Sequence, residues 1–288
     1  MQGYKTQLYL ITAQTNLHVG SGDTEYGIID RLIQRDPLTG YPFISGSSLK
    51  GALRQFFDNQ WGENDSKLEA VFGKDTKRRG DNGQNEAGKF SFFDAYLLSL
   101  PVRSDKIAYF NVTSPALLNG LIETATLLDF PIKHKEEIES VENALVNGTK
   151  AIHFVEGVEK AKLENSEIEA TKSEKNHTLE ATLGKNLAIV ANNVAATNGF
   201  PNDLFGVLCD DFHLPVMARN NLENGQSQNL WYEQVLPRQT RFFCSVIYPS
   251  NQQGVFDAFH KLLTDTKTIV QIGANASIGY GRCQFQPL

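Results

Sequence analysis

The chain has 288 residues, of which 41% are hydrophobic and 21% are charged, a composition typical of a globular protein with a buried core. No stretch approaches the roughly 20 consecutive apolar residues that a membrane span needs, and the 3 cysteines lie far apart without metal-ligand or CxxC spacing. These features argue against a membrane protein, a disulfide framework and a structural zinc site. We therefore expect a cytoplasmic protein with no membrane partner.

The net charge of −6 at pH 7, taken alone, argues against nucleic acid as a partner, because phosphate binding needs clustered Lys and Arg. The charges are unevenly distributed, however. Acidic residues are concentrated in residues 135–180, whereas residues 31–54 contain four basic residues and only one acidic residue, Asp36. A locally basic surface therefore stays compatible with the sequence.

The N-terminal part of the chain predicts the order strand, helix, strand. Residues 6–13 combine β-branched, aromatic and aliphatic side chains and predict a strand, after which a glycine-containing loop follows. Ser47 or Ser48 can serve as the N-cap of a helix, since apolar residues recur at helical spacing from Leu49 onward. Residues 89–98 predict the next strand.

The C-terminal part repeats this order, with a strand over 240–249, an amphipathic helix over 252–266 and a strand over 268–273. Two such halves predict an α+β fold built from ferredoxin-like, RRM-like (split β-α-β) units with insertions. Between them, residues 215–237 place two apolar arms around Asn224-Gly225, which predicts a projecting β-hairpin.

The start of the predicted helix is a candidate anion site. The first N–H groups of a helix lie at the positive end of its dipole, and the small residues at 45–48 would let an anion approach them. Lys50 and Arg54, one turn apart, would add charge on the same side. The spacing alone favours the alternative, an ordinary capped helix with two solvated cations. Ser47 and Lys50 also match the S-x-x-K pattern of serine acyl hydrolases, but the accompanying K-T-G and S-D-N motifs are absent, so acyl transfer is a minor alternative.

Asp30 is a second candidate, because it lies in a loop-like region and is followed by Arg31 and Arg35. Such a carboxylate could position a 2'-hydroxyl, hold a divalent ion or pair with a neighbouring arginine. His18, just before a glycine-containing loop, could be an acid or base or a structural residue.

Residues 17–54, "LHVGSGDTEYGIIDRLIQRDPLTGYPFISGSSLKGALR", resemble the N-terminal segment of the RAMP (repeat-associated mysterious protein) superfamily, whose members build CRISPR effector complexes. Three further segments follow in the expected order: "FFDAYLLSLPVRSDKIAYFNVTSP", "LWYEQVLPRQTRFF" and "VQIGANASIGYGRC". The combination is more similar to the backbone subunit of the type III-B (Cmr) complex than to its type III-A (Csm) counterpart.

The resemblance implies that copies of the chain stack as a helical filament along one CRISPR RNA, together with other Cmr subunits. It implies a single domain over 1–288 with a palm (1–115 and 238–288), a middle insertion (116–208) and a thumb hairpin (about 214–237) that interrupts the guide–target duplex at regular intervals. Target RNA would be cut at each interruption by an endoribonuclease activity that requires a divalent metal ion, Mg²⁺ or Mn²⁺. A noncatalytic RNA-binding scaffold is the alternative.

The resemblance also assigns roles to individual residues. Asp30 corresponds to the catalytic aspartate and is the candidate metal ligand. The supporting catalytic residues would be His18, Tyr232 and Glu233, although without the resemblance the last two are equally explained as a core anchor and a surface charge. The RNA contacts would be Ser47, Ser48, Lys50, Arg54 and Arg35, with Met217 and Arg219 on the thumb.

Overall fold

A computed structural model describes residues 3–22, 28–62, 64–74, 85–132, 135–136, 138, 145, 151–164, 168–173, 179–191, 194–197, 200–202 and 204–288. The helices are α1 (Gly46–Trp61), α2 (Ser66–Phe72), α3 (Pro115–Leu127), α4 (Glu180–Leu183), α5 (Leu204–Cys209) and α6 (Gln253–Leu263). The strands are β1 (Tyr4–Ala13), β2 (Phe43–Ile44), β3 (Gly73–Lys74), β4 (Glu86–Ala87), β5 (Ser91–Phe92), β6 (Ala95–Arg103), β7 (Tyr109–Thr113), β8 (Ala151–His153), β9 (Lys160–Lys162), β10 (Glu169–Lys172), β11 (Leu187–Val190), β12 (Val194–Thr197), β13 (Phe200–Asn202), β14 (Val216–Glu223), β15 (Gln226–Gln234), β16 (Arg241–Pro249), β17 (Val270–Gln271) and β18 (Arg282–Pro287).

A mixed twelve-stranded sheet organises the α+β fold, with the strand order β17-β18-β1-β16-β6-β7-β11-β8-β10-β9 and with β2 and β5 paired at its side. The β7–β11 and β8–β10 pairs are parallel, and the other pairs are antiparallel. Strands β8 to β11, which come from the segment predicted as the middle insertion, thus continue the same sheet. No helix in the described part of the chain is long and apolar enough to cross a membrane.

Hydrophobic cores cover both faces of the sheet. Successive strand residues point to opposite faces, so Phe242 on β16 joins the core that contains α1 and α6, while Phe243 joins the core that contains α3. Helix α1 contributes Leu49, Leu53 and Phe57, which are the apolar positions that its helical spacing predicts.

The predicted hairpin is confirmed. Strands β14 and β15 pair in antiparallel register from Val216 opposite Gln234 to Glu223 opposite Gln226. Asn224 and Gly225 form the turn, and their φ angles of 51° and 81° are those of the two-residue turn that Asn-Gly favours.

The predicted start of α1 is wrong. Ser45, and not Ser47 or Ser48, is the N-cap, since its side chain accepts a hydrogen bond from the Ser48 N–H. The helix therefore begins two or three residues earlier, and a Cβ atom on Gly46 would lie 2.7 Å from the Phe92 carbonyl oxygen, so the chain packs there without a side chain.

Two predicted strands differ in extent from the prediction. The strand over 89–98 is divided at Phe93 and Asp94 into β5 and β6, and β6 continues to Arg103; the Asp94 carboxylate at the break accepts the Gly46 N–H. The strand over 268–273 is reduced to β17.

Candidate functional site

Asp30 lies in the loop between β1 and β2 and is bound to the base of the hairpin. The N–H groups of Asp30 and Arg31 both donate to the Tyr232 carbonyl oxygen, at 3.1 and 3.2 Å. The Tyr232 N–H donates in return to Asp30 Oδ2 at 2.8 Å. These main-chain bonds fix the carboxylate relative to the hairpin.

The arginines near Asp30 in sequence pair with other acids. Arg31 pairs with Glu233 at 2.9 Å and Arg35 pairs with Asp211 at 2.8 Å. Across the described ranges, no cationic side chain forms an ion pair with Asp30. The alternative in which Asp30 serves an ion pair with a neighbouring arginine is therefore wrong, and the half-buried carboxylate keeps lone pairs for a ligand.

Glu233 is completely buried, so the surface-charge alternative is wrong for this residue. Its Oε1 accepts from Arg31 Nη1 and Trp231 Nε1, both at 2.9 Å, and its Oε2 accepts from Arg219 Nε at 3.1 Å and Asn275 Nδ2 at 2.8 Å. We call these five residues the Glu233 cluster. It joins the Asp30 loop, the hairpin and the loop after β17.

The Glu233 cluster also sets the protonation state of its carboxylate. Burial raises the pKa of Glu233, but the hydrogen bonds from Trp231, Arg219 and Asn275 and the charge of Arg219 outweigh it and hold the pKa below its ordinary value. A carboxylate that is ionised at neutral pH and accepts from four donors is suited to positioning and not to proton transfer.

His18 and Tyr232 occupy different environments. The His18 ring is buried, and its Nδ1 lies 2.7 Å from the Gln234 carbonyl oxygen, so it contacts the main chain directly after Glu233. Tyr232 is 39% exposed, which excludes the core-anchor alternative for its side chain.

An open cleft of about 460 Å³ adjoins Asp30. We call it the polar cleft, because most of its lining residues are polar: Asp30, Arg31, Asn220, Asn221 and Asn229, together with Leu230 and Trp231. The guanidinium of Arg31 lies 5.5 Å from the centre of the Trp231 ring, which keeps both side chains at the cleft wall. Carboxylate, amide and guanidinium groups together suit a sugar–phosphate ligand.

The N-terminus of α1 is less open to an anion than its sequence predicts. The Gly46 N–H donates to Asp94 Oδ1 at 2.6 Å, and the Ser48 N–H donates to the Ser45 hydroxyl. Two main-chain donors of the first turn thus already have protein acceptors. Anion contact at this end depends mainly on side chains, and those of Ser47 and Ser48 are exposed.

Lys50 and Arg54 are half-buried cations one turn apart on α1, and neither forms an ion pair with the described residues. Unpaired cations on one helix face are available to phosphates.

Ser47 Oγ lies 3.2 Å from Ser45 Oγ, and within the described ranges no hydrogen bond joins it to Lys50, so the arrangement that a serine acyl hydrolase requires is not formed.

The remaining predicted RNA contacts are engaged within the protein. Arg35 binds Asp211 and the Gly40 carbonyl oxygen. Arg219 binds Glu233, and its guanidinium lies 5.2 Å from the centre of the Tyr280 ring. Half-buried Met217 faces Glu233 in the hairpin register. The structure therefore brings Asp30, Tyr232 and Glu233 together and keeps Arg35 and Arg219 in structural contacts.

Metal ligands are few in this region. The described residues contain no group of three or more His, Cys, Asp or Glu side chains that could hold a metal ion. Both carboxylate oxygens of Glu233 are occupied by donors, which leaves Asp30 as the carboxylate of the polar cleft.

The sequence matches the RAMP superfamily over residues 10–284. It is 30% identical to the CRISPR system Cmr endoribonuclease Cmr4 of Pyrococcus furiosus, over 98% of this chain and 94% of that protein. The fold is similar to a cryo-EM structure of the type III-B Cmr-beta complex bound to cognate target RNA (TM-score 0.76, 23% identity, 98% and 96% of the two chains). It is also similar to the crystal structure of oligomeric Cmr4 from P. furiosus (TM-score 0.65, 22% identity, 99% and 98% of the two chains).

Proposed function

The chain belongs to the RAMP superfamily, and from this premise we propose that it is a backbone subunit of a type III-B CRISPR (Cmr) complex that binds guide RNA and cuts the target RNA paired with it. The relative that shares 30% identity is named an endoribonuclease, and one structural neighbour is bound to target RNA. Several copies would associate in a filament with other Cmr subunits in the cytoplasm, and the oligomeric state of one structural neighbour agrees with the association of copies. The observation that carries the cutting activity is the Asp30 carboxylate, held by the hairpin main chain beside the polar cleft.

The palm of this subunit would be ferredoxin-like. Strands β1, β6, β16 and β18 follow one another along the chain with α1 after the first and α6 after the third. In the sheet they lie in the order β18-β1-β16-β6, which is the arrangement of two interleaved split β-α-β units. The hairpin of β14 and β15 would be the thumb, and β8 to β11 would belong to the middle insertion.

Cutting would begin when the thumb displaces a target nucleotide from A-form geometry. The displaced 2'-hydroxyl can then align with the adjacent phosphate, so that its oxygen bonds to phosphorus as the bond to the 5'-oxygen breaks. Asp30 would either accept the hydroxyl proton or hold a divalent ion, Mg²⁺ or Mn²⁺, in which case water would accept that proton. The departing 5'-oxygen would take up a proton from water. One carboxylate fits Mg²⁺, which is commonly bound by one or two carboxylates together with substrate phosphates and water. Such an ion would supply neutralising charge at the phosphoryl oxygens.

The supporting residues would act through position. Glu233 fixes Arg31 and the hairpin, and its low pKa keeps it ionised. His18 is buried against the Gln234 carbonyl oxygen, so it would hold the hairpin base and not exchange protons with RNA. Tyr232 supplies the main-chain groups that orient Asp30 and an exposed ring beside it.

The guide would be held through its backbone on α1. Lys50 and Arg54 would bind phosphates, and the exposed hydroxyls of Ser47 and Ser48 would add hydrogen bonds. Such contacts carry no base information, so the choice of target would rest on base pairing with the guide. Local charge on this helix face would also explain how a chain of net charge −6 binds RNA.

The test is Asp30→Asn in a complex reconstituted with guide RNA and the other Cmr subunits. Asn keeps an oxygen that can accept the Tyr232 N–H but removes the negative charge. We expect cutting to fall by about 100-fold or more with unchanged target affinity. The matched control is Glu123→Gln, an exposed acid on α3. Equal cutting by wild-type and Asp30→Asn complexes would remove the enzyme proposal and leave the noncatalytic scaffold.

A second measurement addresses the nucleophile. A target with a 2'-deoxy sugar at the cut position should resist the enzyme, because the attacking oxygen is missing. Efficient cutting of that target would exclude the 2'-hydroxyl route.

A further inference from the structure

A second cleft lies across the Asp30–Tyr232 pairing from the polar cleft. It has a volume of about 560 Å³, and we call it the apolar cleft, because it is lined by Ile28, Ile29, Leu32, Phe212, Val216 and Tyr232. Trp231 lines the polar cleft and Tyr232 lines the apolar one, and the consecutive residues Ile29 and Asp30 line the apolar and the polar cleft, respectively. Asp30 thus stands at the boundary between a polar and an apolar depression.

The apolar cleft exposes more hydrophobic surface than an isolated side chain would. Phe212 is 93% exposed and Ile28 is 89% exposed, and Val216 and Tyr232 are each more than a third exposed. Leaving two rings and several aliphatic groups in water is unfavourable, and such patches mark binding sites.

The chemistry of the apolar cleft selects an uncharged aromatic ligand. Its one charged lining residue is Asp211, which accepts hydrogen bonds from Arg35 and Gln234 and presents an acceptor at the rim. No cation of the described chain lines this cleft, and the charge of Asp211 is paired with Arg35, so the cleft offers a phosphate no unpaired positive charge. A flat ring that carries amino donors would stack on the aromatic side chains and face a carboxylate.

We propose that the apolar cleft binds the nucleobase of the target nucleotide that the thumb displaces. The proposal rests on the proposed function and adds a base-binding subsite to it. A base in the apolar cleft places its own ribose beside Asp30 and its phosphate toward the polar cleft. Stacking accepts every base, because each has a π face, which agrees with cutting that does not depend on sequence.

The test uses target RNA that carries 2-aminopurine at the displaced position, since stacking on an aromatic ring quenches its fluorescence. Complexes are reconstituted in the Asp30→Asn background, so that the target stays intact, with Phe212→Ala, Phe212→Trp or the parent residue. Leu127→Ala is the matched control, because Leu127 is 81% exposed on α3 and lies outside both clefts.

We expect 2-aminopurine to be quenched in the parent and in Leu127→Ala, at least about fivefold brighter in Phe212→Ala, and quenched again in Phe212→Trp. In the active background, Phe212→Ala should slow cutting by roughly tenfold, the scale of one lost base–aromatic contact.

The outcomes separate the subsite from the proposed function. Equal fluorescence in the parent and Phe212→Ala, while wild-type complexes cut the target, overturns the subsite and leaves the proposed function intact. Cutting by Asp30→Asn at the wild-type rate overturns the proposed function, whatever the fluorescence shows. If Phe212→Ala shortens the assembly in mass photometry without changing the fluorescence, the cleft is a contact between copies and the base-binding proposal is wrong.

Discussion

Replacing Glu233 by Gln tests whether the Glu233 cluster holds the site together. The substitution keeps the shape of the side chain but removes its charge and half of its acceptor capacity. Whichever way the new amide turns, two of the four donors would face an NH₂ group in a buried site. In the less costly orientation, the amide oxygen accepts from Arg219 and Asn275, and the NH₂ group faces Arg31 and Trp231. This orientation costs less because the Arg31 side chain is 56% exposed, so water can replace the lost acceptor.

The structure sets the size of the effect. Hydrogen bonds to a charged group contribute about 1.5–3 kcal/mol each, and breaking a buried ion pair costs about 3–5 kcal/mol. Discounting the solvated Arg31 interaction leaves a loss of about 3 kcal/mol in the free energy of unfolding. For a chain of 288 residues, with an unfolding entropy of about 2.1 cal/mol/K per residue, that corresponds to a fall in Tm of about 5 °C.

Urea titration and thermal melts of the purified chain measure this loss. The matched control is Glu169→Gln, which breaks the Lys160–Glu169 pair, whose side chains are 63% and 46% exposed. An exposed pair of this kind should change stability by less than about 1 kcal/mol. If Glu233→Gln were no less stable than Glu169→Gln, the Glu233 cluster would not be what ties the loop to the hairpin.

The same carboxylate predicts a pH dependence. Its folded-state pKa lies below the ordinary value of about 4.3, so its contribution is present above that pH and is lost as the pH falls through the folded-state pKa. The stability difference between wild type and Glu233→Gln should therefore shrink when urea midpoints are compared at pH 7 and at pH 3. A difference that grows in acid would contradict the direction of the shift.

Three further predictions follow from the geometry. Lys50→Ala and Arg54→Ala should each weaken guide-RNA binding and lower the slope of log affinity against log salt by about 1, and an unchanged slope would mean that they do not contact phosphate. Gly46→Ala should destabilise the chain by about 1–3 kcal/mol through the Phe92 carbonyl contact, whereas Gly51→Ala, in open space on the same helix, should stabilise it by up to about 1 kcal/mol; equal effects in urea titrations would refute the contact. Chelation with EDTA should stop target cutting and leave guide binding intact, and cutting that persists in EDTA would exclude the divalent ion from the reaction.

Local sequence signals predicted the elements but not their limits. The Asn224-Gly225 turn and the apolar stripe of α1 depend on neighbouring residues, and both were predicted correctly. Ser45 is as good a cap residue as Ser47 and Ser48, so local preference does not distinguish them. The contacts of Gly46 with Asp94 and Phe92, which are 48 and 46 residues away, add to the local Ser45–Ser48 cap. Helix-capping preferences act within one turn and contain no information about such a contact.

The Glu233 cluster could not be predicted from neighbouring residues either, because several of its members are far apart in the sequence. Glu233 is 202 residues from Arg31 and 42 residues from Asn275, so no spacing rule joins them. Trp231 and Arg219 are adjacent only because the hairpin register places them opposite each other. The resemblance implies a supporting role for Glu233, but its position as a buried acceptor for four donors could be seen only in the fold.

The main-chain bonds between Asp30 and Tyr232 have a consequence for where RNA would be cut. They make the carboxylate and the hairpin one rigid unit, so the element proposed to displace a nucleotide and the group proposed to act on it keep a constant separation. The side chains on α1 that are proposed to bind the guide belong to the same subunit. The distance between the bound guide and the cut phosphate would then be set by the geometry of the subunit, and the cut position would be independent of base sequence. The isolated chain has all of these protein groups but no displaced nucleotide, and cutting would therefore require the assembled guide and target.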